Sequence, residues 1–412
     1  MLAAVIAALA LAWFGVRWQI GNMLGELASP SQENVLEVAQ AAAGLAPRDP
    51  VSRSLIAAKL RQDFTPESIE ASVVNFEEAV RLSPNDFRLW IELGRAYEQA
   101  DRFEDAERAF RRGVELAPEY TFPQWQIGNF YLRRGRADEA FAYLAKAAEK
   151  SIVYREQVFG LAWDYFEKDA ARVEQLASDT PSVRVTLAHF YAQRGAADDA
   201  LRVWNSIPES EKVLHPAILR SITEHLYSKR AYRQALEFSR QAGIDPEAEI
   251  AKVTNPGFEK FLGDVEPGLF GWKINRGDSK FEILTDSSVK AAGQRSLRLT
   301  FKNYVRPELF NPSQIVAVQP ESRFRLTFML RVENLRTGAK PMMEVVNANN
   351  DISIARTQPF PTGTHDWQPA TVEFSVPVGC DGVTIRTVRE PCGEICPISG
   401  TMWLDNFSLE KL

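Results

Sequence analysis

Two cysteines near the C-terminus have the spacing and surroundings for covalent chemistry. Cys392 and Cys396 flank Gly393-Glu394-Ile395, between two prolines. A tight turn there would bring the two Cα atoms within the roughly 4.4 to 6.8 Å that a disulfide needs. We therefore predict a disulfide that closes a small loop, with Cys380 left unpaired. Such cysteine usage favours an oxidising compartment.

The residues that usually carry out catalysis do not form a recognisable set. The four histidines are scattered, and the sequence has no H-E-x-x-H, no G-x-S-x-G and no glycine-rich phosphate loop. A glycosidase needs two carboxylates across a sugar ring, and Glu344 with Asp351 is a pair that the sequence leaves open. Because the chain has 54 acidic residues, such pairs also arise by chance. We expect a protein that is not an enzyme.

Charge argues against a nucleic-acid partner. The formal net charge is -6, and the only tight basic cluster is Arg133, Arg134 and Arg136. A solvated turn between helices explains this cluster better than a phosphate-binding patch.

At 412 residues, the chain is long for one core, which suggests two folded parts.

A repeated pattern organises the N-terminal half. Trp90, Leu93, Gly94 and Tyr97 have the spacing W-x2-L-G-x2-Y, and the same grammar returns about 34 residues later around Gly128. This pattern resembles the tetratricopeptide repeat, a helix-turn-helix unit that stacks into a superhelix. The resemblance implies an all-α solenoid over residues 33–250, with a truncated unit at 155–180. It also implies a surface that binds a protein partner.

The repeat geometry assigns part of each first helix to the partner-binding groove. Carried over by spacing, this groove comprises Phe122, Trp125, Asn129, Arg133, Phe159, Trp163 and Phe166. Aromatic and arginine side chains are frequent anchors at interfaces. An alternative is that the shortened unit buries Phe159, Trp163 and Phe166 in its own core.

The first residues read as a membrane anchor, residues 1–22. Met1 to Val16 has no charged side chain, and the apolar stretch approaches the length that spans a bilayer. Trp13 and Trp18 suit the interfacial zone, and Arg17 could reach the headgroups. A cleaved signal peptide is the alternative, because small-residue cleavage motifs are present. The expected location is the bacterial inner membrane, single-pass, with both domains periplasmic.

Beyond residue 253 the pattern changes from helical to alternating. In the run Phe324 to Val332, every second residue is apolar, which predicts a strand with one core face. Runs of this kind, broken by turn residues, are typical of a β-sandwich. The predicted strands are Ser296–Phe301, Phe324–Val332, Met342–Val346, Ala370–Val376, Gly382–Val388 and Thr401–Leu409.

The ends of this region carry a more specific resemblance. Asn255-Pro256-Gly257-Phe258-Glu259, Gly271-Trp272 and the final run from Trp403 to Leu409 are similar to the opening and closing strands of galactose-binding-like jelly rolls. That superfamily includes carbohydrate-binding modules, so the resemblance implies an all-β jelly-roll sandwich over residues 254–412. It also implies a possible structural calcium ion bound by Glu259 and Asp405; a capped turn and a surface carboxylate are the alternative. Calcium prefers such oxygen donors.

Aromatic and charged residues of the sandwich suggest a glycan site, since flat rings stack on pyranose faces. Trp272 and Trp403 are expected in the core. The four charged candidates, Arg325, Arg331, Glu344 and Arg386, are expected to share the face of the sandwich that points away from the core. The glycan-binding candidates are Tyr304, Phe310, Trp367, Arg325, Arg331, Glu344 and Arg386.

The sequence therefore predicts a membrane-anchored scaffold whose solenoid binds protein and whose sandwich binds glycan, in exopolysaccharide or envelope-glycan assembly. A protein-assembly factor without glycan binding is the alternative.

Overall fold

The computed structural model describes residues 2–29, 31–260, 268–275 and 278–412. Within them, fifteen α-helices come first and nine β-strands follow. The predicted fold class is confirmed: a multidomain chain with an N-terminal apolar helix, an all-α repeat region and an all-β sandwich. The chain divides into two compact units, Met1–Val183 and Arg184–Leu412.

The first unit begins with the long apolar helix, and shorter helices follow. The last of them continues past the boundary between the two units. They are α1 (Leu2–Leu27), α2 (Val35–Leu45), α3 (Pro50–Leu60), α4 (Pro66–Leu82), α5 (Phe87–Gln99), α6 (Phe103–Leu116), α7 (Thr121–Arg133), α8 (Ala137–Lys150), α9 (Ile152–Tyr165), α10 (Ala170–Glu174) and α11 (Pro181–Arg194). A 3-10 turn, Arg61–Asp63, follows α3.

The remaining elements belong to the second unit. The helices are α12 (Ala197–Asn205), α13 (Glu209–Lys212), α14 (Pro216–Ser228) and α15 (Tyr232–Gln241). The strands are β1 (Phe281–Asp286), β2 (Ser296–Tyr304), β3 (Ser313–Ala317), β4 (Arg323–Thr337), β5 (Pro341–Asn347), β6 (Ile352–Arg356), β7 (Gly363–Ser375), β8 (Gly382–Arg389) and β9 (Ile398–Lys411).

Close helix–helix contacts explain the repeated glycines. A Cβ atom on Gly94 would lie 2.9 Å from the ring of Phe110, and one on Gly128 would lie 2.7 Å from Leu144. Interiors are packed too densely to absorb such an overlap without movement. Glycine therefore allows α5 to pack on α6, and α7 on α8, as the repeat pattern predicts.

The truncated unit is present, and a buried arginine completes it. Its second helix, α10, has 5 residues. Arg155 is 6% exposed and donates from Nε to the carbonyl of Ala148 at 2.9 Å and from Nη1 to that of Ser182 at 3.0 Å. The bond to Ala148, with a further one from Nη2 to Glu149 O, occupies unpaired carbonyl groups at the end of α8. The bond to Ser182 ties the short unit to the start of α11.

The N-terminal helix is exposed at one end and packed at the other. Its N-terminal residues, such as Leu2 and Leu9, are exposed. Further along, Gly21 packs against Ala46, and Arg17 donates a 2.6 Å hydrogen bond from Nη2 to Gly44 O. Arg17 therefore bonds to the repeat region, which corrects the expectation that it reaches toward headgroups.

Two antiparallel sheets form the sandwich, with strand orders β1-β2-β9-β4-β7 and β3-β8-β5-β6. On β4, Phe324, Leu326, Phe328 and Leu330 are each at most 2% exposed, so the alternation correctly identified the core face. Trp272 and Trp403 are also buried. All six predicted strands are present; β1, β3 and β6 were not predicted.

The last helical pair packs on the sandwich within the second unit. Tyr232 is 4% exposed, and its hydroxyl donates to Ala348 O at 3.0 Å. Arg230 forms a 2.8 Å ion pair with Asp351. A Cβ atom on Gly382 would overlap the Tyr232 ring at 2.5 Å, so glycine permits this close contact.

Candidate functional site

A groove runs across the first helices of successive repeats in the first unit. It consists of two cavities, about 540 and 370 Å³, that share Arg61 and Arg95 as lining residues. The larger cavity has an apolar end at Val51, Leu55 and Leu89. The smaller is polar and is lined by Arg61, Arg95, Glu98, Gln99, Gln126 and Arg133. We call these two cavities the repeat groove.

Where the two cavities meet, one carboxylate forms ion pairs with two guanidinium groups. Arg61 Nη1 lies 2.9 Å from Glu92 Oε2, and Arg95 Nη1 lies 2.8 Å from Glu92 Oε1. Burial, opposed by Glu92, lowers the pKa of Arg61 from its ordinary value, and the neighbouring charge of Arg95 adds to the decrease. The junction of the repeat groove thus carries more positive than negative charge.

Of the predicted groove residues of α7, Arg133 lines the repeat groove, whereas Phe122, Trp125 and Asn129 are not among its described lining residues. Arg133 lines the polar cavity and pairs with Glu98 through Nε and Nη2 at 2.7 and 2.8 Å. Trp125 is half-buried and stacks on Tyr154 with ring centroids 4.9 Å apart. Asn129 donates its amide to the Trp125 carbonyl, and Phe122 packs at the edge of a buried cluster.

The predicted residues of α9 lie in a different environment. Phe159 is fully buried and Trp163 is 7% exposed, whereas Phe166 packs against Phe141 at 4.9 Å between ring centroids. The expectation that Phe159 and Trp163 face an open groove is therefore wrong. The shortened unit cannot cover its apolar face with a full second helix, so the large rings of α9 fill its core.

The sandwich brings four of the glycan candidates around one loop. Tyr304 and Phe310 line a cavity of about 280 Å³, and Phe310, Glu344 and Arg386 line a second of about 260 Å³. Phe310 is 51% exposed, and the Arg386 guanidinium lies 4.2 Å from its ring centroid. We call this pair of cavities the Phe310 site.

Glu344 holds the charged wall of the Phe310 site. It is 1% exposed and accepts from Arg356 at 2.9 and 2.7 Å and from Arg386 at 2.8 Å. Burial alone would raise the pKa of Glu344, but the hydrogen bonds from Arg356 and Arg386 outweigh burial and lower this pKa. A buried ion cluster of this kind positions its guanidinium groups firmly.

The other three glycan candidates lie elsewhere. Arg325 and Arg331 are on β4 and Trp367 is on β7, in the five-stranded sheet, whereas Glu344 and Arg386 belong to the four-stranded sheet. Arg325 pairs with Glu373 at 2.6 Å and Arg331 with Asp366 at 3.0 Å. The expectation that the four charged residues share one face is wrong, because the two sheets expose opposite outer faces.

The predicted calcium ligands are neighbours. Asp405 Oδ2 accepts from the backbone N–H groups of Ala291 and Ala292 at 2.8 and 3.1 Å, and Glu259 accepts from Gln294 N at 2.8 Å. Burial and the nearby Glu259 charge raise the pKa of Asp405. The donors suit calcium in type, but backbone groups already pair with them, and the described residues contain no group of three such ligands.

The cysteine prediction is confirmed. Cys392 and Cys396 form a disulfide with Cα atoms 6.0 Å apart, and Cys380 is free and buried. Arg389, 6% exposed, donates from Nη1 to Cys396 O in this loop and to Arg306 O at 3.0 Å. The disulfide loop is thus tied to the chain segment that leads to Phe310.

Several residues of the repeat groove were not predicted. Arg95 and Gln99 precede Asn129 and Arg133 by 34 residues each, and Glu92 precedes Gln126 by the same interval. The repeat period, applied backwards from the predicted Asn129 and Arg133, would have identified Arg95 and Gln99, but not Glu92, because Gln126 was not a predicted position. Arg61 lies in a 3-10 turn beyond the regular pattern, so the period alone does not indicate it.

Comparisons with known proteins find tetratricopeptide repeats in the helical region. The tetratricopeptide repeat family model matches residues 87–120, which cover α5 and α6. The chain is 28% identical over 81 residues to the peroxisomal targeting signal receptor of Saccharomyces cerevisiae, covering 20% of this chain and 13% of that protein. The matched segment is thus a small part of that relative's length.

A longer match includes more of the chain. Cytochrome c-type biogenesis protein CycH of Pseudomonas aeruginosa is 25% identical over 329 residues, covering 76% of this chain and 68% of that protein. The CBM22-1 xylan-binding domain of Paenibacillus barcinonensis Xyn10C is 13% identical, with a TM-score of 0.27, covering 40% of this chain and 97% of that one. At that TM-score the likeness carries no information about ligands.

The fold and the repeat match describe different parts of the chain. Residues 87–120 match the tetratricopeptide repeat, and an antiparallel β-sandwich follows the helical region in sequence. Helix α1 is long and apolar enough to cross a membrane, with a mean hydropathy of 1.6. It is therefore a candidate for either a membrane anchor or a signal sequence.

Proposed function

We propose that this protein is a non-enzymatic, membrane-anchored assembly scaffold whose repeat groove binds a protein partner. The observation that carries the proposal is the groove itself, which combines an apolar end with fixed guanidinium and amide groups. Anchoring through α1 in the bacterial inner membrane, with both units in the periplasm, is part of the proposal. The Cys392–Cys396 disulfide supports an oxidising compartment.

Site-specific photocrosslinking tests the groove. A photoreactive amino acid at Gln126, which lines the polar cavity, should crosslink a partner in native membranes. Arg108 on α6 pairs with Asp105 and does not line the groove. The same photoreactive amino acid at this position should give no crosslink to the partner. Equal crosslinking at both positions, or none at Gln126, would contradict the proposal.

We further propose that the sandwich contacts glycan at the Phe310 site, in exopolysaccharide or envelope-glycan assembly. The supporting observation is an exposed ring beside a buried ion cluster, a combination that can stack on a sugar and hold its hydroxyls. Binding of the whole protein to a glycan array, lost in Phe310→Ala and kept in Trp367→Ala, is the expected result.

The alternative is a protein-assembly factor for an envelope complex that binds no glycan. The similarity to a cytochrome c-type biogenesis protein over 76% of the chain favours this alternative. The glycan array separates the two proposals. If the wild-type protein retains no glycan while crosslinking at Gln126 persists, the assembly-factor proposal stands alone.

A further inference from the structure

We infer that the repeat groove selects an acidic peptide segment that also carries an apolar side chain. This inference rests on the proposed function, because it specifies the partner that the groove would bind. Its basis is the charge arrangement at the junction of the two cavities, where Glu92 is shared by Arg61 and Arg95.

The charges of the groove do not cancel. Its described lining contains four guanidinium groups and three carboxylates. Two of the pairs are matched one to one, since Arg88 binds Asp86 and Arg133 binds Glu98. The remaining carboxylate, Glu92, faces two arginines, so one positive charge is left over. This surplus is local, because the whole chain has a formal net charge of -6.

The position of the surplus charge makes it useful for binding. The Arg61 side chain is 17% exposed, so water screens its charge only in part and a second carboxylate nearby would be favourable. Arginine presents several N–H donors in one plane, so a guanidinium group already bonded to Glu92 retains donors for a ligand carboxylate. The apolar end at Val51 and Leu55 lies in the same groove and fits an aliphatic side chain.

The test uses three short fluorescein-labelled peptides and the full chain in nanodiscs. The first alternates glutamate with leucine, the second replaces glutamate with glutamine, and the third replaces it with lysine. We expect fluorescence anisotropy to show binding of the glutamate peptide, at least about tenfold tighter than the others and weakened by salt.

Three variants locate the binding. Arg95→Glu should weaken binding of the glutamate peptide at least about tenfold. Arg108→Glu is the matched control, since Arg108 also pairs with an acidic residue three positions away on its own helix, and it should change affinity by less than about twofold. Glu92→Gln should tighten binding, because it removes the carboxylate that competes with the ligand.

A melting curve of each variant verifies that it is folded. Equal affinity for the glutamate and glutamine peptides, or weaker binding in a folded Glu92→Gln variant, would overturn the inference. So would absence of binding to all three peptides. These failures are distinct from failure of the proposed function, which is judged by crosslinking at Gln126 in native membranes.

Discussion

Glu344 is a carboxylate that the sandwich buries between two guanidinium groups. Because its folded-state pKa is lowered, its contribution to stability is present above the ordinary glutamate pKa of about 4.3 and is lost as the pH falls through the folded-state value. We expect Glu344→Gln to destabilise the protein by about 1–3 kcal/mol at neutral pH, and much less in acid. Denaturant unfolding at several pH values measures this.

Glu373 offers a matched control for that experiment. It binds Arg325 with a similar two-donor geometry, at 2.9 and 2.6 Å, but both side chains are 44% exposed. Because exposed ion pairs contribute little, Glu373→Gln should lower the free energy of unfolding by less than about 1 kcal/mol. An equal loss in both variants would show that burial of Glu344 is unimportant.

Asp405 tests the calcium prediction. Its pKa is raised by burial and by Glu259, so its contribution to stability is present at low pH and is lost as the pH rises through the folded-state value. A bound cation would offset the repulsion between the two carboxylates. We therefore expect calcium to raise the melting temperature at neutral pH relative to a chelator, and Glu259→Gln to abolish that rise. The same melting temperature with and without calcium would contradict a calcium site.

The two tryptophans of the predicted groove differ in burial because their helices pack differently. Trp163 is 7% exposed, so Trp163→Ala should lower the free energy of unfolding by about 3 kcal/mol or more. Trp125 is half-buried against Tyr154, so Trp125→Ala should lower it by about half as much. Chemical denaturation of both variants gives the comparison, and a larger loss for Trp125→Ala would contradict these burial assignments.

The sequence predicts central elements better than peripheral ones. The repeat helices and strands such as β4 follow from periodic burial on one face, whereas β5 is buried at every position. The three strands that were not predicted, β1, β3 and β6, all lie at sheet edges. On β6, every residue is at least partly exposed, so its pattern shows no buried face. The formation of an edge strand depends more on pairing with the one strand beside it than on alternation of apolar and polar residues in its own sequence.

Candidate sites are harder to predict than elements, because they combine residues from elements that are distant in sequence. Phe310, Glu344 and Arg386 meet only because β5 and β8 pair with Glu344 opposite Arg386. Arg331 has the same residue type but belongs to the other sheet. Which sheet a strand joins depends on long-range pairing, and local periodicity contains no information about it.

In the second unit, hydrogen bonds and an ion pair join the last helical pair and the segment after it to the sandwich. Tyr232, Arg230 and Asp245 all bond to residues beyond 254; Asp245, for example, accepts from Leu269 N at 2.9 Å. We expect a fragment of residues 184–412 to unfold in one transition, at a higher temperature than residues 254–412 alone. Calorimetry of both fragments measures this.

Tyr232→Ala supplies the matched variant. In the 184–412 fragment, it should lower the free energy of unfolding by about 3 kcal/mol, because it empties the space against Gly382 and removes the bond to Ala348. Two separate transitions in that fragment, one of them at the temperature of the isolated 254–412 fragment, would indicate independent domains.

Helix α1 continues without a break from its exposed apolar end into its contacts with the repeat region. Gly21 and Gly25 are buried there, and Arg17 is bonded to Gly44. If a bilayer holds the exposed end, the continuous helix fixes the distance and the orientation of the first repeats relative to the lipid surface. A bound partner would then be presented at a constant distance from the membrane, within reach of other complexes embedded in it.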